Sequence, residues 1–142
     1  MKKSILIIFT IVIIIVTILF VRYTAYKNEY NVVLRENAEY EQYKDKEIYG
    51  IELATLINKS IDQNIKNKID KDDNEIFIAN EEDSIEIEIY IKDNEQTYKM
   101  ETFYNRGLDK FIQYYGNIEF KCSKIEYHKN TGKTKYLLFE QM

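Results

Sequence analysis

Proline and tryptophan are absent from this 142-residue sequence, and it holds only one cysteine, one histidine and four glycines. A single cysteine, Cys122, rules out an internal disulfide, so stability has to come from the core. Its place in the alternating run IEFKC puts it on one strand face with Ile118 and Phe120, as a small buried hydrophobe. One histidine, His128, leaves no second His or Cys to complete a zinc site. The one thiol–imidazole pair is separated by six residues of extended chain, about 20 Å, which is far beyond hydrogen-bond reach. Gly50, Gly107, Gly116 and Gly132 lie far apart, which excludes a glycine-rich phosphate loop. Without tryptophan, the 13 tyrosines must fill the core as well as furnish any binding face.

Beyond the N-terminal run, positive charge is outnumbered by negative. All 24 acidic residues lie beyond residue 22, against 17 of the 20 basic ones, which leaves that part with a net charge of −7. Neither nucleic acid nor anionic lipid is an expected partner for a surface of that sign.

The N-terminus carries what the rest lacks, an uninterrupted apolar run, ILIIFTIVIIIVTILFV, from Ile5 to Val21. As a helix rising about 1.5 Å per residue it spans roughly 26 Å, near the lower limit for a hydrocarbon core. Ile5, Phe9, Ile13, Val16 and Phe20 are expected to sit in the lipid bilayer. No ionisable residue interrupts the run, so it reads as an anchor and not as an ion path. Cleavage by a signal peptidase needs small residues at −1 and −3, and the only small pair, Thr24-Ala25, has Tyr23 at −3. A lipoprotein is excluded because acylation needs a cysteine just after the run, and the only cysteine is Cys122.

Lys2 and Lys3 on one side nearly balance Arg22, Lys27 and Arg35 on the other. The short positive tail before the run is the pattern of a signal anchor, with the N-terminus in the cytoplasm and the remainder exported. The expected organisation is a signal-anchor transmembrane segment over 1–22 and one soluble domain over 23–142. About 120 residues suffice for one core and not for two.

Beyond the run, Tyr23, Tyr26, Tyr30, Val33, Asn37 and Tyr40 recur at three- and four-residue spacing, which continues the helix from about residue 4 to 41. This stripe either packs on the chain's own domain or meets a protein partner, including a second copy. Tyr23 and Tyr26 also suit the headgroup region. Residues 44–49 read as a connection.

A second helix is predicted over 51–67, with Leu53, Leu56, Ile57, Ile61 and Ile65 on its apolar face and Glu52 at its positive end. The period then changes to 2. Strands are predicted at 75–79, at 85–91 with Ile85, Ile87, Ile89 and Ile91 inward, and at 96–100 after an Asp93-Asn94 turn. Phe103, Leu108, Phe111, Ile112 and Tyr115 mark a helix weakened by Gly107 and ended by Gly116. Two last strands, 118–128 and 134–140, flank Asn130-Thr131-Gly132-Lys133, a hairpin signal. The order α-α-β-β-β-α-β-β makes an α+β fold, with helices on an antiparallel sheet of about five strands.

Few residues suggest chemistry. Asp70, Asp72, Asn74 and Glu81 match positions 1, 3, 5 and 12 of a calcium-binding loop. Glu75 stands where that loop needs glycine, and the second half reads as strand, so a solvated acidic turn is expected. His128 beside the hairpin turn is expected to be solvated. Glu86 and Glu88 share a wet strand face with nothing to desolvate them, so an acid–base pair is not expected there. No enzyme active site, metal site or cofactor is expected.

Residues 37–61, NAEYEQYKDKEIYGIELATLINKSI, resemble a segment of small membrane-anchored proteins of Gram-positive bacteria. The shared pattern is Asn37, Tyr40, Tyr43, Ile48, Gly50, Leu53 and Leu56-Ile57. The resemblance implies one N-terminal span before this segment and a small α+β domain after it, with no established activity. Gly50 would let the chain turn into the second helix. The architecture is also similar to that of type IV pilins, although Ser4 and an uncharged run replace the Gly and Glu of their processing signal. The expected function is a cell-surface protein-binding or assembly module, with a pilin-like or secretion-system structural subunit as the alternative.

Overall fold

Three threonines on the N-terminal helix turn their hydroxyls back onto their own backbone. Thr10, Thr17 and Thr24 donate to the carbonyls of Leu6, Ile13 and Phe20 at 2.9, 2.8 and 2.9 Å. Their polar groups are thus satisfied within the helix, as a helix side without protein cover requires when no water is near. The computed structural model describes residues 2–142. Its elements are α1 (Lys2–Glu41), β1 (Glu47–Tyr49), α2 (Gly50–Lys66), β2 (Glu86–Ile91), β3 (Gln96–Lys99), α3 (Met100–Arg106), α4 (Leu108–Tyr115), β4 (Glu119–Tyr127) and β5 (Thr134–Gln141). The chain forms two compact units, Met1–Arg35 and Glu36–Met142.

The second unit is α+β. Its five strands run in the order β1-β4-β5-β2-β3. One face buries Ile48, Ile87, Ile89, Ile91, Phe120, Cys122, Leu137 and Phe139. Leu53, Leu56, Ile57 and Ile61 of α2, Met100 and Phe103 of α3 and Phe111 of α4 complete that core. The alternation of Ile with Glu through β2 places one set inward and leaves Glu86, Glu88 and Tyr90 half-buried on the other face.

The sheet is mixed, where an antiparallel one was expected. β2 pairs in parallel with β5, from Glu86↔Tyr136 to Tyr90↔Glu140, while the β1–β4, β2–β3 and β4–β5 pairings are antiparallel. The two strands with the most buried side chains thereby become neighbours, and the polar β3 goes to an edge.

Three further elements differ from the expectation. Residues 47–49, read as connection, form β1 against β4, with Ile48 opposite Phe120. Residues 75–79 are not a strand. Asp72 turns the chain there by accepting the amides of Asn74 and Ile76, both at 2.9 Å, and only a single bridge joins Lys71 to Phe77. The helix expected around Phe103 to Tyr115 is two, because Gly107 takes φ 97° and redirects the chain between α3 and α4.

Gly50 is required for a different reason than a turn. Its backbone lies so close to α4 that a Cβ would fall 2.0 Å from the Tyr115 carbonyl oxygen. That proximity lets the Gly50 amide reach the Ile118 carbonyl at 2.9 Å and the Ile51 amide reach that of Gly116 at 3.2 Å. Glu52 then accepts the Tyr49 amide at 3.4 Å, at the start of α2.

Candidate functional site

The break at Gly107 brings the rings of α3 and α4 together. Phe103 and Phe111 meet at 4.7 Å between centroids, Phe111 and Tyr115 at 5.3 Å, and Tyr98 of β3 closes on Phe103 edge-on at 5.5 Å. Beside this cluster opens a hollow of about 260 Å³, walled by Tyr98, Phe103, Phe111, Tyr114 and Tyr115. Asn94, Arg106 and Lys110 stand on its rim. The Asn94 side-chain amide donates to the Tyr98 phenol oxygen at 2.6 Å, and the Tyr98 hydroxyl donates to Gln96 Oε1 at 2.7 Å.

Arg106 and Lys110 are both exposed. The ion pairs among the described residues, Lys59–Glu39, Lys71–Glu75, Lys124–Glu126 and Lys133–Glu36, use neither. No carboxylate, imidazole or thiol lines the hollow. Its chemistry is an aromatic wall beside two cations, suited to an apolar or flat group that carries negative charge. Tyr114, which is 71% exposed, leaves one side of it open.

The sequence-derived residues fall in several places. Ile5, Phe9, Ile13, Val16 and Phe20 are all exposed, at 50–68%. Tyr23, Tyr26 and Tyr30 are exposed too, and the rings of Tyr26 and Tyr30 stack at 6.5 Å. Val33 is half-exposed. Tyr40 is only 4% exposed and belongs to the core of the second unit, so it leaves the partner-binding stripe. Burial pushes its phenol pKa up.

Asn37, on the same stripe, has a structural task. Its Nδ2 donates to the Gly132 carbonyl and its Oδ1 accepts the Thr134 amide, both at 2.8 Å, which ties the end of α1 to the β4–β5 hairpin. The cleft beside it, between Glu36, Glu39 and Lys133, has room for only about 20 Å³, the scale of a single water.

The acidic loop is folded on itself. The Ile76 amide first, then that of Asn74, hold the exposed Asp72 carboxyl below the usual carboxylate range. Lys71 pairs with Glu75 at 3.1 Å across the turn. Among the described residues, no group of three or more His, Cys, Asp or Glu is placed to hold a metal ion.

His128 is a correction. It is 2% exposed and not solvated, and its Nε2 lies 2.8 Å from the Ser84 carbonyl oxygen. The β4–β5 register slips twice, by an extra residue in β4 at Cys122/Lys124 and by one in β5 opposite Glu126/Tyr127. Plain alternation from Phe120 and Cys122 already puts residue 128 on the inward face, and the solvated expectation came from the hairpin turn beside it.

Cys122 is buried, and desolvation pushes its thiol up to about 11. Glu88 accepts the Tyr136 hydroxyl at 2.8 Å, and burial followed by that bond pushes the phenol far above its ordinary value. Glu86 makes no comparable contact among the described residues.

Asn64 and Glu101 are among the buried polar residues that the sequence pattern did not mark. Asn64 sits on the apolar face of α2 and pairs with both backbone groups of Ile85. Its signal was its spacing, three residues after Ile61 on the same face. Glu101 is 3% exposed and accepts the Phe77 amide at 3.3 Å, and burial pushes its carboxyl up.

No family model, curated protein or solved structure matches the chain. The class is therefore defined by the fold alone: a small α+β unit joined to one helix that is long and apolar enough to cross a membrane.

Proposed function

We propose that this chain is a single-pass membrane protein whose α+β domain, displayed outside the cell, binds another protein. The observation that carries the reading is the uncharged run of α1 from Ile5 to Val21, in a helix long and apolar enough to cross a membrane. Such a run is stable in hydrocarbon and not in water. The Lys2-Lys3 tail supports retention of the N-terminus in the cytoplasm and export of the rest.

Binding and not transport is favoured by the uncharged span. Tyr23, Tyr26 and Tyr30 offer amphipathic rings where the helix leaves the apolar stretch, suited to headgroups or to a neighbouring helix. Alkaline extraction of cell membranes, followed by N-terminal sequencing, tests the anchor. The chain is expected in the pellet with its N-terminal run intact. Recovery in the supernatant, or a mature N-terminus at or beyond Ile5, would contradict it.

A further inference from the structure

The hollow between α3, α4 and β3 has a size, a lining and a neighbour that together specify a ligand. At about 260 Å³ it is smaller than the roughly 300–1,000 Å³ of sites for drug-sized molecules, and it suits one large side chain. Its wall is aromatic and its rim carries Arg106 and Lys110, which enter no ion pair among the described residues. What sets these two cations apart is their place beside the aromatic wall, where they complement a ligand that carries negative charge.

The third observation is the edge. β3 is the last strand of the sheet and pairs only with β2, so its outer backbone groups are open to another strand. Tyr98 belongs to that strand and to the wall of the hollow at once.

We propose that the hollow and the β3 edge together form a binding site for an extended acidic peptide. Its backbone pairs with Gln96–Lys99 and its aromatic side chain fills the hollow. Carboxylates two residues before and after that side chain, which share its face of the extended peptide, meet Arg106 and Lys110. Main-chain pairing with pockets for alternate side chains is a recurring way to bind extended segments. A small aromatic acid would satisfy the hollow and the cations but would leave the strand edge unused. This inference rests on the reading of the domain as a binding module and names the kind of partner.

The test is fluorescence anisotropy with the full chain in phosphatidylcholine nanodiscs. The probe is a labelled, acetylated and amidated peptide, Gly-Asp-Ser-Phe-Ser-Asp-Gly, with both carboxylates on the strand face of the Phe. Saturable binding is expected, weakened at least about tenfold by Arg106→Glu with Lys110→Glu, or by Ala for the peptide's Phe. The reversal Lys129→Glu, at an exposed position on the β4–β5 hairpin, is expected to leave it unchanged. N-methylation of alternate peptide amides is expected to abolish binding in one register and spare it in the other. Absence of saturable binding, or binding indifferent to the Arg106 and Lys110 reversals, would overturn the site. Equal binding by both N-methylated registers would overturn the strand pairing. If the peptide fails while the chain still fractionates as an anchored protein, the site alone is lost and the anchored-module reading stands.

Discussion

The side chain of Asn64 pairs with both backbone groups of Ile85, donating to its carbonyl and accepting its amide, each at 2.8 Å. One amide on α2 thereby stands in for a neighbouring strand at the point where the loop ending at Ser84 becomes β2. Both residues are buried, so water cannot replace either bond.

Asn64→Ala is expected to leave two buried backbone groups unpaired, at a cost of about 2–4 kcal/mol. Chemical denaturation of the full chain in detergent, followed by circular dichroism, measures it. A loss below about 0.5 kcal/mol, the scale of a neutral surface change, would mean that the Ile85 groups find other partners.

Gly50→Ala places a methyl group against the Tyr115 carbonyl oxygen, where a Cβ would lie 2.0 Å away. The obstacle is backbone and cannot rotate aside, so α2 and α4 must separate. The expected loss is about 2–3 kcal/mol, toward the upper end for overpacking. Gly107→Ala is a useful contrast, because a Cβ there meets nothing within 4 Å and only its φ of 97° opposes the change.

Glu101 links stability to pH. Burial raises its folded pKa above the ordinary carboxylate value, so its favourable contribution is full below that ordinary value and is lost as pH rises through the folded one. Glu101→Gln keeps an oxygen for the Phe77 amide and removes the titration. Melting temperatures at pH 5 and 7 are expected to show a smaller gain on acidification for the variant than for the native chain. Equal gains would assign the dependence to other groups.

Cys122 is expected to resist thiol reagents in the folded chain, because its sulfur is buried and its pKa stands at about 11. Iodoacetamide labelling at neutral pH should need denaturant. Rapid labelling of the native chain would contradict the burial.

Much of the fold was legible where period and burial coincide. The alternating isoleucines gave β2, and the three-to-four spacing of Leu53, Leu56, Ile57 and Ile61 gave α2. Asn130-Thr131-Gly132-Lys133 gave the hairpin, with Gly132 at φ 70° as its turn requires. The parallel β2–β5 pairing was not legible, because strand neighbours far apart in sequence leave no mark in local pattern. His128 was misread because it stands beside the hairpin turn, although its even spacing from Phe120 and Cys122 puts it on their buried face. The hollow was half-visible. Phe103, Phe111 and Tyr115 were assigned to one helix, but only the bend at Gly107 shows that their rings gather beside Arg106 and Lys110.

The most direct test of the anchored, outward-facing domain is labelling of intact cells with a membrane-impermeant maleimide. Asn130→Cys puts the target thiol on the exposed hairpin turn, and the native Cys122 is too buried to contribute background. Labelling of Asn130→Cys on intact cells, equal to that after permeabilisation, is expected. Labelling only after permeabilisation would place the domain in the cytoplasm and contradict the account.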